Sequence, residues 1–492
     1  MISPVATLAL VATLQGPLPP NTPPKPQDPD ALFLASKVEF DGHTLEYRLL
    51  TPQPMRAGER YPLILFLHGA GERGADNTKQ LTHFPRRMAT PERLAEFPCF
   101  VLAPQCASDD RWTLDPWGST TSRPLDAQPT APMQGAMLAL QEVARTYPVD
   151  LDRIYLTGLS MGGYGAFQLA LRHSDWFAAV APVCGGGDER AAAALAGLPV
   201  SVWHGDQDGA VPVERSQQMV AALRALGETP DYHELHGVGH DAWNYAYADG
   251  GCLPWLFAQR RDPARRLEAA ARLMADAFGE EERVAFLGDS ITQAGATPGG
   301  YVDLLRTALA ALKPKAVVIP AGVSGNKIND LLARYEKDIV AQAPTLVFIY
   351  IGINDVWHSQ SGRGTPRDAF APGLEALCQG LEAAPGTRCV VATASVIGER
   401  TRRPNELDPM LEDFVQMTRD VVASAASSPS PRTLCDLRRA FVDHLELFNV
   451  SDAEQGLLTR DKVHLSPAGN VYVATLAARA LRAAALERVS TR

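Results

Sequence analysis

The sequence predicts two consecutive α/β domains, each built on a mostly parallel sheet, and three observations point there. Short continuous apolar runs alternate with helix-forming stretches from Leu32 onward, as expected of strands buried on both faces. The alternation begins afresh near residue 283, and the two series share no repeating motif, so two different folds follow one another. At 492 residues the chain is also too long for one ordinary domain.

In the first series, strands are expected over 45–50, 61–67, 100–103, 154–157, 178–183 and 200–203. The run YPLILFL at 61–67 is the clearest, since it is apolar throughout. Helices are expected between them, for example over 133–146 and 165–171, and 254–260 closes the series. Residues 261–282 are charged, alanine-rich and strongly helix-forming, either a last helix of the first domain or a stiff linker. The second series places strands over 284–287, 317–320, 346–351, 390–393 and 433–437, with helices such as 300–312 and 327–342 between them. Residues 424–431 read as a surface loop, and 111–132, with Trp112 and Trp117, as too polar and proline-rich for core. The expected layout is thus 32–260, a helical linker over 261–282, and 283–492.

Composition bounds the function. The chain is 46% hydrophobic and 21% charged, which excludes a disordered, collagenous or coiled-coil protein. A net charge of −10 without a basic patch argues against nucleic acid as a partner. No internal apolar run reaches the roughly 18 residues of a membrane span. The seven cysteines show no CxxC and no metal-ligand spacing; a disulfide framework is not expected, and an isolated Cys99–Cys106 bridge is left open. Residues 1–16 are apolar and uncharged, fitting the middle of a secretory signal, although the basic start is missing and Pro4 interrupts it. Seven of the thirteen residues 17–29 are proline, the composition of an extended tether. An apolar start followed by a tether, together spanning 1–31, predicts a secreted or periplasmic protein over a cytoplasmic one; a frayed tail is the plainer alternative.

Two constellations carry chemistry. The first is Gly158-Leu-Ser160-Met-Gly162, a G-x-S-x-G pattern between an expected strand and helix. A serine at such a cramped turn needs small flanking residues, and the turn points its hydroxyl outward. His68-Gly-Ala-Gly71 follows the YPLILFL strand and leaves backbone N–H groups free to face a developing oxyanion. Asp206 and Asp208 follow the 200–203 strand and compete for the acid role. His240 lies on the glycine-flanked loop Gly237-Val-Gly-His240; His233 and His236 lack that setting, and His68 and His204 read as structural.

The second constellation opens with Gly288-Asp289-Ser290 after the first strand of the second series. Gly325 follows the second strand and offers an N–H at the sheet's carboxyl edge. Asn354, in Gly352-Ile-Asn354-Asp355, can aim a side-chain amide at the same point. Asp461-Lys-Val-His464 comes near the end, its spacing placing both groups on one face of a turn. All four blocks lie where open α/β sheets bind ligands. Asp289 reads as structural, and His358 and His444 lie outside the blocks.

Residues 33–260 resemble the α/β-hydrolases related to bacterial phospholipase/carboxylesterases and polyhydroxybutyrate-depolymerase-type esterases, through FLHGAGERG, APQC, RIYLTGLSMGGYG, HGDQDGAVP and GVGHDAW. That resemblance implies Ser160 as nucleophile, His240 as base, Asp208 as its acid, and the N–H of Met161 with that of Ala70 or Gly71 as oxyanion donors. Residues 284–487 resemble the SGNH, or GDSL, hydrolases, all four blocks being present. This implies a flavodoxin-like three-layer α/β/α fold, Ser290 as nucleophile, His464 as base and Asp461 as its partner. The N–H groups of Ser290 and Gly325 with Asn354 would form the oxyanion hole. Such chemistry requires no metal or organic cofactor. The expected function is a bifunctional serine esterase acting on a small or polymeric ester, such as an acylated polysaccharide. A lysophospholipase or acyl-thioesterase, a peptidase in the first domain, and a binding scaffold of inactive hydrolase folds are the alternatives.

Overall fold

The computed structural model describes residues 28–403, 405–428 and 431–490, so the expected signal and nearly all of the tether lie outside the described residues. The first sheet has eight strands: β1 (Phe33–Phe40), β2 (His43–Leu50), β3 (Tyr61–Leu67), β4 (Phe100–Pro104), β5 (Val149–Leu159), β6 (Ala179–Val183), β7 (Ser201–Gly205) and β8 (Asp231–Leu235). Their spatial order is β1-β2-β4-β3-β5-β6-β7-β8. From β4 to β8 every neighbouring pair is parallel, while β1 and β2 are added antiparallel at one edge. Every residue of β3 is buried, as its unbroken apolar run requires.

Two strands escaped the sequence reading. β1 and β2 form a hairpin around Asp41 and Gly42, at φ +45° and +78°, the double positive-φ turn that an Asp-Gly pair favours. β8 (DYHEL) is a partly exposed edge strand, so it lacks the apolar run that marks the others. The segment holding Trp112 also differs from expectation. Trp112 is 1% exposed, packs in the core with Leu67 and Met161, and donates its indole N–H to His68 O at 3.0 Å. One aromatic anchor is enough to bury a residue within an otherwise polar stretch. Residues Cys252–Phe257 are helical.

The second sheet has five strands: β9 (Arg283–Gly288), β10 (Val317–Gly322), β11 (Leu346–Tyr350), β12 (Arg388–Ala392) and β13 (Thr433–Cys435). They are parallel throughout, in the order β10-β9-β11-β12-β13. The single helix expected over 327–342 is three short pieces, Ile328–Leu332, Tyr335–Asp338 and Val340–Gln342. Arg334 leaves helical geometry between the first two and turns its guanidinium back onto Gly288 O and Ala321 O, each at 2.9 Å, and onto Asn326 Oδ1 at 2.8 Å. One side chain thus ties the ends of β9 and β10 to the loop beyond. All seven cysteines are buried and free, so the Cys99–Cys106 bridge does not form. Among the described residues, no helix is long and apolar enough to cross a membrane.

Residues 261–282 contain the expected helix, Pro263–Ala277, opened by Asp262, whose carboxylate accepts from Arg265 N at 3.0 Å. It is not a bare linker. Ala270, Met274, Ala275 and Phe278 join the core of the second sheet, alongside the alanine-rich final helix Pro467–Ser490. Ala269 and Leu273 pack against Ala196 of the first domain. Helix Leu437–Phe448 closes the contact from the other direction, sending Leu447 and Phe448 into the core of the first sheet. Met274 is fully buried, so Met274→Ala removes packed atoms without easy collapse and should cost about 2–5 kcal/mol. Thermal unfolding checks this: a lowered Tm is expected, and an unchanged one would mean the helix contributes no core.

Candidate active sites

The first site assembles at the carboxyl ends of β3, β5 and β7. Ser160 follows β5 directly and sits at φ +55°, ψ −118°, a strained conformation for a residue with a side chain, costing about 1–3 kcal/mol. The flanking glycines make the turn possible. A Cβ on Gly162 would run into the carbonyl of Leu67, and one on Gly158 into that of Gly162. Ser160 then opens the buried helix Met161–Arg172, whose first N–H groups have no partner within the helix.

His240 Nε2 lies 2.9 Å from Ser160 Oγ, and its Nδ1 lies 2.6 Å from Asp208 Oδ2. Of the two competing acids, Asp208 therefore meets this histidine. Asp206 instead accepts from Gly237 N at 2.7 Å and pairs with His236 Nδ1 at 2.6 Å, fixing the loop on which His240 rides. Burial opposes the charge on Asp208. Hydrogen bonds from His204, His240, Val211 N and Ala210 N outweigh it and hold its carboxyl well below the usual carboxylate range.

His204, read from the sequence as structural, has a closer connection to this site than expected. Its Nε2 is 3.2 Å from Asp208 Oδ2 and its Nδ1 is 2.7 Å from Ser216 Oγ, so Asp208 faces two imidazoles. His68 is structural: burial lowers its pKa to about 4, and its Nε2 accepts from Cys106 N at 2.9 Å. Ala70 and Gly71 start a short turn beyond β3, on the strand end beside the Ser160 elbow. Cys184, His204 and Asp208 are the one group among the described residues whose ligand atoms lie close enough for a metal. Asp208 is already saturated with hydrogen bonds, and burial pushes the Cys184 thiol up, so this set suits a buried acid better than an ion.

The second site lies at the carboxyl edge of β9, β10 and β11. Ser290 is the first residue of helix Ser290–Gly295, capped by Asp289, whose Oδ1 accepts from Ile291 N at 2.9 Å. His464 Nε2 stands 2.9 Å from Ser290 Oγ, and its Nδ1 stands 2.9 Å from Asp461 Oδ2. The turn between them carries Lys462 at φ +75°, which lets Asp461 Oδ1 also accept from His464 N at 2.8 Å. Burial opposes ionisation of Asp461, but its bonds to His464 lower its pKa overall.

Gly325 sits at φ +79° facing open space, a backbone conformation that disfavours any side chain. Asn354 is buried, and its amide donates to Asn326 O at 3.1 Å and, weakly, to Asp289 Oδ2 at 3.4 Å. Burial pushes Asp289 up to about 7, with the neighbouring Asp355 adding to it.

Sequence reasoning missed Glu399. It is fully buried, and its carboxylate accepts from Leu457 N (2.9 Å), Leu458 N (2.7 Å), Thr459 N and Thr459 Oγ1 (2.8 Å). It thereby fixes the loop that leads into Asp461 and His464. A glutamate within VIGER gives no sign of this, because its partners are backbone N–H groups some 60 positions away.

Residues 87–251, spanning Ser160, Asp208 and His240, match the Dienelactone hydrolase family. Residues 286–471, spanning Ser290, Gly325, Asn354, Asp461 and His464, match the GDSL-like Lipase/Acylhydrolase family. An acetylxylan esterase of Geobacillus stearothermophilus is 32% identical over 217 residues, which is 40% of this chain and 92% of that protein. Among solved structures, a thermostable esterase is 34% identical, covering 47% of this chain and 64% of that one at a TM-score of 0.44. An acetyl xylan esterase, AlAXEase, is 36% identical, covering 40% of this chain and 97% of that one at a TM-score of 0.37. The chain belongs to the hydrolases: an α/β-hydrolase domain of the dienelactone hydrolase type followed by a GDSL-family domain. It is an ester-hydrolysing enzyme.

Two outcomes test the second site's supports. In the folded chain Asp289 holds a proton that the unfolded chain releases between about pH 4 and 7, so its contribution to stability falls as pH rises through that window. Relative to Asp289→Asn, the wild type should lose on the order of 4 kcal/mol between pH 4 and 8, read from paired Tm profiles. Parallel profiles would show that Asp289 ionises normally. Glu399→Gln, measured with Ser160→Ala in the same chain, should lower the remaining esterase activity by about 10²-fold through misplacement of His464.

Proposed function

We propose that the chain is a two-site serine esterase that removes acetyl groups from a polysaccharide, with Ser160 and Ser290 as independent nucleophiles. One observation carries the reading: each serine Oγ stands 2.9 Å from an imidazole Nε2 whose Nδ1 meets an aspartate. That is the arrangement that nucleophilic acyl transfer requires.

In the first domain, His240 takes the proton of Ser160 as Oγ attacks the ester carbonyl, and Asp208 steadies the resulting imidazolium. The tetrahedral oxyanion accepts from the N–H of Met161 and that of Ala70 or Gly71. The C–O bond to the alcohol breaks as His240 returns the proton to the leaving oxygen. Water, deprotonated by the same histidine, then hydrolyses the acyl-serine and releases the acid. In the second domain Ser290, His464 and Asp461 take the same parts, with Ser290 N–H, Gly325 N–H and Asn354 as donors. Asn354 donates to Asn326 O and weakly to Asp289 Oδ2, so one amide hydrogen must leave the weaker of these bonds to serve.

The acetyl-polysaccharide assignment rests on the Geobacillus stearothermophilus relative, whose name specifies acetylxylan and 92% of whose length this chain spans. Trp357, three residues past Asn354, is 37% exposed beside a depression of about 320 Å³, a surface suited to stacking on a sugar ring.

The test is hydrolysis of p-nitrophenyl acetate and of acetylated xylan by wild type, Ser160→Ala, Ser290→Ala and the double variant. Each single variant should keep part of the acetate-ester activity, and the double variant should lose at least about 10³-fold. Acetate release from xylan should fall in at least one single variant. Full activity in Ser290→Ala on both substrates would sink the two-site reading.

A further inference from the structure

A cavity of about 270 Å³ lies between the two domains, and neither reactive serine lines it. One wall is the Arg172–Asp175 corner, where the helix opened by Ser160 ends. The opposite wall combines the 261–282 segment, helix Leu437–Phe448 and the final helix. Five arginines and three aspartates line the space. Most of the charges have partners. Asp175 Oδ2 bonds His444 Nδ1 at 2.8 Å across the domain boundary, Arg261 pairs with Asp152, and Asp436 pairs with Arg419.

Two guanidiniums keep buried N–H groups that meet no acceptor among the described residues. Arg266 is 5% exposed and donates Nη2 to Phe177 O at 2.7 Å, but its Nε and Nη1 meet no acceptor among the described residues. Arg479 reaches Ala194 O at 3.2 Å and Ser174 Oγ at 3.5 Å through Nη2, and its Nε is likewise without an acceptor. Among the described residues neither arginine forms an ion pair. A buried N–H without an acceptor costs about 1–3 kcal/mol, and more when it belongs to a charged group. Three such donors belong to two arginines that line one cavity. The Asp175 carboxylate offsets part of the charge on both arginines, and Asp443, which also faces the cavity and is pushed up to about 7 by burial, adds only partly to that.

We propose that this interdomain cavity binds a small oxyanion, a carboxylate or a phosphate, between Arg266 and Arg479. Planar guanidiniums bind both classes through paired N–H···O bonds. The anion would occupy the seam on which both domains close. It would also brace Leu457 and Leu458, which line the cavity and belong to the loop that Glu399 fixes ahead of His464. This inference does not depend on the substrate assigned above.

The experiment is calorimetric titration and thermal unfolding of the full chain with inorganic phosphate, acetate or glucuronate, at constant ionic strength set with chloride. At least one of these anions should bind and raise Tm with the logarithm of its concentration above Kd, as linkage requires. A response to phosphate alone identifies a phosphate site, and a response to the carboxylates identifies a carboxylate site. Arg266→Gln and Arg479→Gln should each weaken that binding by about tenfold or more, the effect expected from losing one charge-assisted pair. If Arg266→Gln does not fold, Arg479→Gln decides. Absence of binding by all three anions, or equal binding in a folded arginine variant, overturns the proposal.

Discussion

The carboxyl edge of a parallel sheet is the constraint on which both sites depend. Parallel strands end together, and the chain leaving each end must turn sharply into a loop or helix, so side chains from distant segments converge there. Ser160 leaves β5, the Gly69–Gly71 segment leaves β3, and Asp208 leaves β7. Ser290, Gly325 and Asn354 leave β9, β10 and β11 in the same way. In each domain the histidine arrives last, on a turn beyond the strands, and is held by an acid bonded to Nδ1.

The two domains meet this constraint by different physical means. Ser160 is exposed by strain, a positive φ that only close packing of Gly158 and Gly162 against neighbouring carbonyls can sustain. Ser290 needs no such strain, because it is the first residue of a capped helix. The burden shifts instead to buried and half-buried polar groups: Asp289 under the serine, Arg334 across the ends of β9 and β10, and Glu399 behind the His464 turn. The acids differ accordingly. The Asp208 carboxylate is fully shielded from solvent and flanked by two histidines, while that of Asp461 is 48% exposed.

The strands lining both sites were legible because their apolar runs are continuous, and the residues of the two Ser-His-Asp arrangements because they stand at strand ends in short, dense motifs. What stayed hidden shares a physical character. β8 is a polar edge strand, and β1 was marked only by its Asp-Gly turn. The break at Arg334 arises from hydrogen bonds to backbone carbonyls of other segments, which local helix propensity does not encode. His204 and Glu399 act through partners brought near by tertiary packing alone. Trp112 shows the converse, a core residue within a stretch whose average composition reads as surface.

The segment between the two folds follows from the same logic. An alanine-rich helix has too little apolar area to stand alone, but its small side chains let another helix approach closely. Pro263–Ala277 uses one face against the alanine-rich final helix in the core of the second sheet and another against Ala196 of the first domain, so it packs on both domains. Leu447 and Phe448 make the reciprocal intrusion, and Asp175 meets His444 at 2.8 Å across the boundary. The domains are therefore fixed to each other by shared packing as well as by covalent connection. A change at their seam has direct structural routes to both sites: one through the helix that Ser160 opens, the other through the loop that delivers His464.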